Sequence, residues 1–336
     1  MALQAGLDGY DLIGDVHGCG RTLVRLLEKL GYRDEDGVYR HPRRKVIFLG
    51  DLIDRGPNIR LAVSVAKRMV DAGEAQIVMG NHEYNALAYC LEAPSGHARE
   101  WLRDHNPRNN RIIARTLEQF HEYPLEWESY LAWFLTLPLC LELDGMRVVH
   151  ACWDEPLVTR LLERYPDGRI DREFLVESTR HGSFAHRVMD RLTRGTQIPL
   201  PPGVEIRSGD GFTRRSFRTH FWCRNPGTYG DVVFQPDNLP HDLEDRPLSD
   251  AERERLSWYP ETAPPLFIGH YWCRGVPALP RANIACLDYS AVKCGRLVAY
   301  RWDGEERLDA DRFVWVRVTP ESIAGFSDVT PRARGE

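Results

Sequence analysis

The chain has 336 residues, 43% hydrophobic and 28% charged, a composition that can build a large core. Its 44 basic and 49 acidic residues give a net charge of -5, which excludes a nucleic-acid grip built on bulk positive charge. No apolar run approaches membrane-span length, no secretory signal opens the chain, and the eight cysteines show no Cys-x-x-Cys spacing, so a cytoplasmic protein without membrane contact is expected.

Three strand–turn–helix units come first. Tyr10-Asp11-Leu12-Ile13 reads as a strand; Gly14-Asp15-Val16-His17-Gly18 follows, then a helical stretch with Leu23, Leu26, Leu27 and Leu30 on one face. After a charged hairpin-like excursion at 33–44, Val46, Ile47, Phe48 and Leu49 read as a strand buried on both faces. It runs into Gly50, Asp51, Asp54, Arg55, Gly56 and Pro57, with a helix expected over 58–70. The third unit is Ile77-Val78-Met79, then Gly80-Asn81-His82-Glu83 and another helix. Each glycine lets the chain turn sharply from strand into chemistry-bearing residues.

Residues 92–137 mix polar and aromatic side chains with partial helical periodicity, the pattern of a helical insertion. Two strands are expected at 139–143 and 146–149, joined by an Asp144-Gly145 turn, the second ending in His150. Residues 157–195 read as helical, 196–215 as loop, and the stretch to about 265 as poorly periodic. Leu266-Phe267-Ile268-Gly269-His270 repeats the strand–glycine–ligand order, and strands are expected at 284–287, 297–302 and 313–318. Candidate site residues run from Asp15 to His270, so one domain over 1–336 is expected, with insertions at about 92–137 and 157–265.

Asp15, His17, Asp51, Asn81, His150 and His270 all stand at strand ends. Carboxylate and amide oxygens mixed with imidazoles suit divalent ions: manganese first, with iron, zinc, nickel or cobalt as alternatives. Two neighbouring ions need one ligand that reaches both, and Asp51, on the central segment, is the natural bridge. His82 stands next to Asn81 as a candidate general acid, with Asp54 able to fix its ring. Arg55 offers a planar fork to phosphate oxygens. Glu83 reads as a supporting residue at a helix start.

The three blocks around Asp15, Asp51 and Asn81 resemble the signature blocks of the calcineurin-like metallophosphoesterases, in the phosphoprotein phosphatase branch. The branch also holds bacterial protein phosphatases and symmetrical dinucleoside tetraphosphatases. The resemblance is weaker around His150, His270 and 286–300. It implies an α/β fold, a β-sandwich of two mixed sheets flanked by helices in four αββα layers. It further implies a dinuclear centre in which Asp15, His17 and Asp51 hold one ion and Asp51, Asn81, His150 and His270 the other. His82 with Asp54 would be the acid pair, and Arg55 with Asn81 would bind the substrate phosphate. The family has a further phosphate-binding arginine, for which Arg180, Arg218 and Arg224 are candidates. Trp153, Tyr271 and Trp272 stand where the family has smaller residues and are candidates for an aromatic wall.

The expected function is hydrolysis of a phosphomonoester, phosphoprotein serine/threonine phosphatase-like, by a metal-activated hydroxide. The alternative substrate class is nucleotide: a symmetrical bis(5'-nucleosyl)-tetraphosphatase or another nucleotide phosphohydrolase. A silent module that binds a phosphorylated ligand is the rival from another class, and the full ligand set argues against it.

Overall fold

The computed structural model describes residues 6–143, 145–207, 213–234 and 239–319. The first third carries β1 (Gly9–Ile13), α1 (Gly20–Leu30), the hairpin β2 and β3 (Arg33–Glu35, Val38–Arg40), β4 (Arg44–Phe48), α2 (Ile59–Asp71), β5 (Ala75–Ile77) and α3 (Asn81–Cys90). Helices α4 (Pro107–Phe120) and α5 (Pro124–Phe134) precede the antiparallel pair β6 (Cys140–Leu143) and β7 (Met146–Val149). Asp144 of the expected turn lies outside the described residues. Next come α6 (Glu155–Arg164), α7 (Arg172–Ser178) and α8 (Phe184–Arg194). Short strands β8 (Thr196–Pro199), β9 (Ile206–Arg207), β10 (Thr213–Arg214) and β11 (Ser216–Thr219) and two four-residue helices, α9 (His241–Glu244) and α10 (Asp250–Arg253), follow. The chain returns through β12 (Leu266–Ile268), β13 (Ile284–Cys286), β14 (Asp288–Tyr289), β15 (Arg296–Trp302) and β16 (Phe313–Arg317).

Two mixed sheets form. The first has the order β14-β15-β1-β4-β5, with β16 also on β15. In it β1, β4 and β5 are parallel and β15 runs against β1. The second has the order β13-β12-β7-β6, with β7, β12 and β13 parallel. Strand alternation decides the layering. Tyr10, Leu12, Ile47, Val298 and Tyr300 of the first sheet meet Met146, Val148, Phe267 and Ala285 of the second in one buried cluster. Ile13, Val46 and Phe48 point the other way and share a core with the α1 leucines, while Val149 and Ile268 share it with Val188 and Leu192 of α8. The result is helices on both outer faces of a sheet pair, the fold expected.

The four leucines of α1 are all buried at the predicted spacing, each burial stabilising by roughly 1.5–3 kcal/mol. Gly31 ends that helix at φ 95°, where its N–H donates to Glu28 O. Asp11 departs from the apolar reading of β1. It is fully buried between Arg44 (3.2 Å) and Arg301 (3.0 Å), an ion cluster that ties β1 to β4 and β15.

Residues 196–215, read as loop, include three strands instead. β8 pairs antiparallel with β11, and Ile198, Leu200, Phe217, Tyr229, Val232 and Leu248 build a small core beneath them. The alternation of β8 lasts only four residues, and Pro199, Pro201, Pro202 and Gly203 mask it. Among the described residues, no helix is long and apolar enough to cross a membrane.

Candidate metal centre and basic pocket

The parallel strands deliver their C-terminal ends to one place. Asp15 and His17 follow β1, Asp51 follows β4, Asn81 opens α3 after β5, and His150 and His270 follow β7 and β12. All six are at least nine-tenths buried. The backbone is bent to hold them: nine described non-glycine residues have positive φ, and five are His17 (43°), Asp51 (53°), Asp54 (68°), Arg55 (68°) and His270 (64°). Such strain persists where the surrounding fold over-determines it. Two glycines are required by close approach. A Cβ on Gly80 would lie 2.3 Å from Asp51 Oδ1, and one on Gly269 would lie 2.1 Å from Asp15 Oδ1.

Asp51 is the hub. Its Oδ2 lies 3.5 Å from His17 Nε2, 3.5 Å from His150 Nε2 and 3.9 Å from His82 Nε2. Its Oδ1 accepts the His82 backbone N–H at 2.9 Å. Asp15 Oδ2 is 3.9 Å from His17 Nε2, and both Asp15 oxygens accept the His270 N–H at 3.2 Å. Two donor groups, Asp15–Asp51–His150 and His17–Asp51–His82, each have atoms within 4.8 Å of one another, and Asp51 belongs to both.

The outward nitrogen of each ring is oriented from behind. His17 Nδ1 donates to Ile53 O (3.1 Å) and His150 Nδ1 to Leu49 O (2.6 Å), so each turns its Nε2 toward the hub. The Asn81 amide oxygen faces His150 Nε2 at 3.2 Å and His270 Nδ1 at 2.8 Å. As a hydrogen-bond network this is frustrated; the amide turned over would donate to both rings and to Thr193 O. In the orientation found, a cation between these atoms satisfies all of them. Charge points the same way: Asp15, Asp51, Glu83 and Asp288 are four carboxylates no more than 2% exposed. The donor set therefore fits divalent ions on its own chemistry.

The electrostatics carry the crowding. Burial pushes the Asp15 carboxyl well above the usual range, and Asp288 adds to the rise. Burial raises Asp288 too, and leaves its Oδ2 without a hydrogen-bond partner. Burial alone would raise Asp51, but His150 and His82 hold it well below the usual range. Burial, and then Arg55, push His17 well down; burial, and then Arg218, do so for His270.

Beside the hub, His82 Nδ1 donates to Asp54 Oδ2 at 2.5 Å, and Thr116 Oγ1 from α4 donates to Asp54 Oδ1 at 2.5 Å. Arg55 reaches across with Nη1 3.0 Å from His17 Nε2 and Nη2 3.1 Å from His82 Nε2. Glu83 accepts N–H groups from Asp51 (2.8 Å), Leu52 (2.8 Å) and Gly80 (3.1 Å), which pins the loop that carries the hub. The supporting role read for Glu83 is what these contacts describe.

Arg55, Asn81, His82 and His270 open onto a cavity of about 720 Å³. Among the described residues its lining has ten arginine and lysine side chains and one acidic one, Asp190. Of the three arginine candidates, Arg218 lines it and donates to His270 O at 3.3 Å. Arg180 and Arg224 are exposed and away from it, whereas Arg103 and Arg194, not singled out from sequence, line it. The expected aromatic wall reduces to Trp272, which stacks with Arg55 (4.9 Å) and Lys293 (3.5 Å). Tyr271 packs instead against Phe234 and Trp222, and Trp153 is buried against Arg147, because both rings turn into the core beside their histidines. Sequence reasoning passed over Asp288 and Thr116 as well. Asp288 had a signal, since it ends the apolar run 284–287 as Asp51 ends its own.

A family model for the calcineurin-like phosphoesterases matches residues 11–179. An asymmetrical bis(5'-nucleosyl)-tetraphosphatase PrpE of Geobacillus sp. strain WCH70 is 47% identical over 147 residues, 42% of this chain and 55% of the relative. The PrpE of Halalkalibacterium halodurans is 45% identical over 83 residues, 24% of this chain and 34% of the relative. The match thus spans about half the first relative and a third of the second. Among solved structures, a protein serine/threonine phosphatase of Saccharomyces cerevisiae superposes with TM-score 0.48 at 15% identity, covering 94% of this chain and 80% of that one. A cold-active protein-tyrosine phosphatase of a Shewanella species gives TM-score 0.45 at 15% identity, covering 92% and 83%. With half of its length matched by the family model, this chain belongs to the calcineurin-like phosphoesterases.

Proposed function

We propose that the chain hydrolyses a phosphoanhydride of a nucleotide, with a bis(5'-nucleosyl) tetraphosphate as the representative substrate. The observation that carries this reading is the cavity over the candidate ligand cluster, whose described lining is mostly arginine and lysine with Asp190 as its one acidic residue, a lining that matches a substrate of several negative charges better than a single phosphoryl group. The PrpE relatives are named for such a substrate.

In this reading Asp15, His17 and Asp51 hold one ion, and Asp51, Asn81, His150 and His270 hold the other. When bound, the ions supply a hydroxide nucleophile from shared water and neutralise phosphoryl oxygens. Arg55 binds the phosphoryl group under attack with its two-pronged guanidinium, together with the Asn81 amide. His82 gives a proton from Nε2 to the leaving oxygen, and Asp54 stabilises the charged ring through Nδ1. The phosphoprotein monoester is the second reading; it is favoured by Arg55, His82 and Asp54 together needing only one phosphoryl group.

The test is turnover by manganese-loaded protein of the tetraphosphate, a phosphoserine peptide and an aryl phosphate, with products identified. The reading expects kcat/KM for the tetraphosphate to exceed that for the peptide by at least tenfold. A preference for the peptide replaces it with the second reading. His82→Asn is expected to keep metal content and lower kcat by about 100-fold or more on an unactivated leaving group.

A further inference from the structure

Asn85 lies on α3 one helical turn after Asn81, about 6 Å along the same face. Its Oδ1 accepts from Arg103 Nη1 at 2.8 Å and from Arg194 Nη2 at 2.8 Å. Arg103 Nη2 is held in turn by Asn109 Oδ1 at 2.8 Å. Two guanidiniums thus converge on one neutral oxygen, at the wall of the cavity that Arg55 and Asn81 enter. Two carboxylates act on this pair: Asp190, 3.5 Å from Arg194 Nη1, and Asp54, whose charge pulls on Arg103. Burial, and then the neighbouring Arg194, pull the Arg103 guanidinium down to about 10.

Like charges brought together out of water cost free energy unless an anion joins them. Amide partners fix the Arg103 fork in place without cancelling its charge, whereas Arg194 is held by the same Asn85 amide and also pairs with Asp190, so two guanidiniums share one close carboxylate. A fixed guanidinium pair that keeps a net positive charge suits phosphate oxygens, which accept two parallel N–H bonds from such a fork. The reacting phosphoryl group has Arg55.

We propose that Arg103 and Arg194, gathered on Asn85, form a second anion subsite that holds a non-reacting phosphoryl group of a polyphosphate substrate. The inference rests on the nucleotide-phosphoanhydride reading above and adds the residues that would distinguish such a substrate from a monoester. A purely structural role, a strut between α3, the segment before α4 and α8, would affect every substrate alike.

The experiment compares wild type, Arg103→Gln and Asn85→Asp. It measures kcat/KM on the tetraphosphate and on an aryl phosphate, and competitive inhibition of aryl phosphate cleavage by methylenebisphosphonate and by orthophosphate. Asn85→Asp keeps the anchor but puts a negative charge between the two guanidiniums, so it serves even where Arg103→Gln folds poorly. Both variants are expected to lower the tetraphosphate-to-aryl ratio at least tenfold, mainly through KM, and to shrink the preference for bisphosphonate over orthophosphate by a similar factor. Equal losses on both substrates with an unchanged inhibitor ratio overturn the subsite in favour of the strut. Wild type that ignores the tetraphosphate yet shows the Arg103-dependent bisphosphonate preference keeps the subsite and removes the nucleotide reading. Tetraphosphate turnover without that preference does the reverse.

Discussion

At the scale of single residues, the site is built from groups that prepare other groups. Thr116 donates to Asp54, which orients His82, so a hydroxyl on α4 acts on the proposed acid at one remove. Thr116→Val keeps the shape and removes that donor. Its kcat is expected to fall about tenfold, roughly 1.4 kcal/mol of barrier, with metal content unchanged by mass spectrometry. Glu83 gathers three backbone N–H groups around the hub. Glu83→Gln leaves some of those donors poorly satisfied, and denaturant titration is expected to show a loss of about 3 kcal/mol. A loss under about 1 kcal/mol would mean that the loop holds its own shape. The hub residues were legible from sequence because each is a ligand type directly after a strand and its turn. Thr116, Arg103 and Arg194 were not, because helical periodicity reports that a helix forms and not which polar side chain faces a distant strand end.

At the scale of elements, the strand-and-turn units around Asp15, Asp51, Asn81 and His270 could be read because a continuous apolar run that stops at glycine is the pattern of a strand buried on both faces of a parallel sheet. The β8–β11 region could not. Its strands are two to four residues long, and the hydrophobic partners in its small core come from as far apart as Ile198 and Leu248. That region also carries a pH dependence. His220 stacks on Trp222 at 4.8 Å with its Nδ1 unpartnered, and burial pulls it down to about 4 against a mild opposing pull from Asp231. The folded pKa lies below the unfolded one, so protons bind the unfolded chain first as pH falls. The His220 contribution to stability is expected to be full above about 6.5 and to decline toward about 4. His220→Gln is expected to flatten that decline in denaturation midpoints measured at about pH 7 and pH 5; a slope unchanged by the substitution would place the dependence elsewhere.

At the scale of the whole molecule, two sheets pressed face to face bring together residues 255 positions apart in sequence, Asp15 and His270. We propose that the described residues form one domain, with the helices of 92–137 and the segment 157–265 inserted so that they wall the cavity. The sheets gather the candidate ligands of the proposed chemistry; the insertions supply Arg103, Arg194 and Arg218, and with them the basic character of the pocket. We propose that Asp51 joins two ions in one site. Metal content per chain, measured by mass spectrometry on wild type and Asp51→Asn after manganese loading, tests it most directly. The account predicts two ions in the wild type and neither retained in the variant, which removes the shared ligand while His17, His150 and His270 remain. Two ions retained by Asp51→Asn would contradict it.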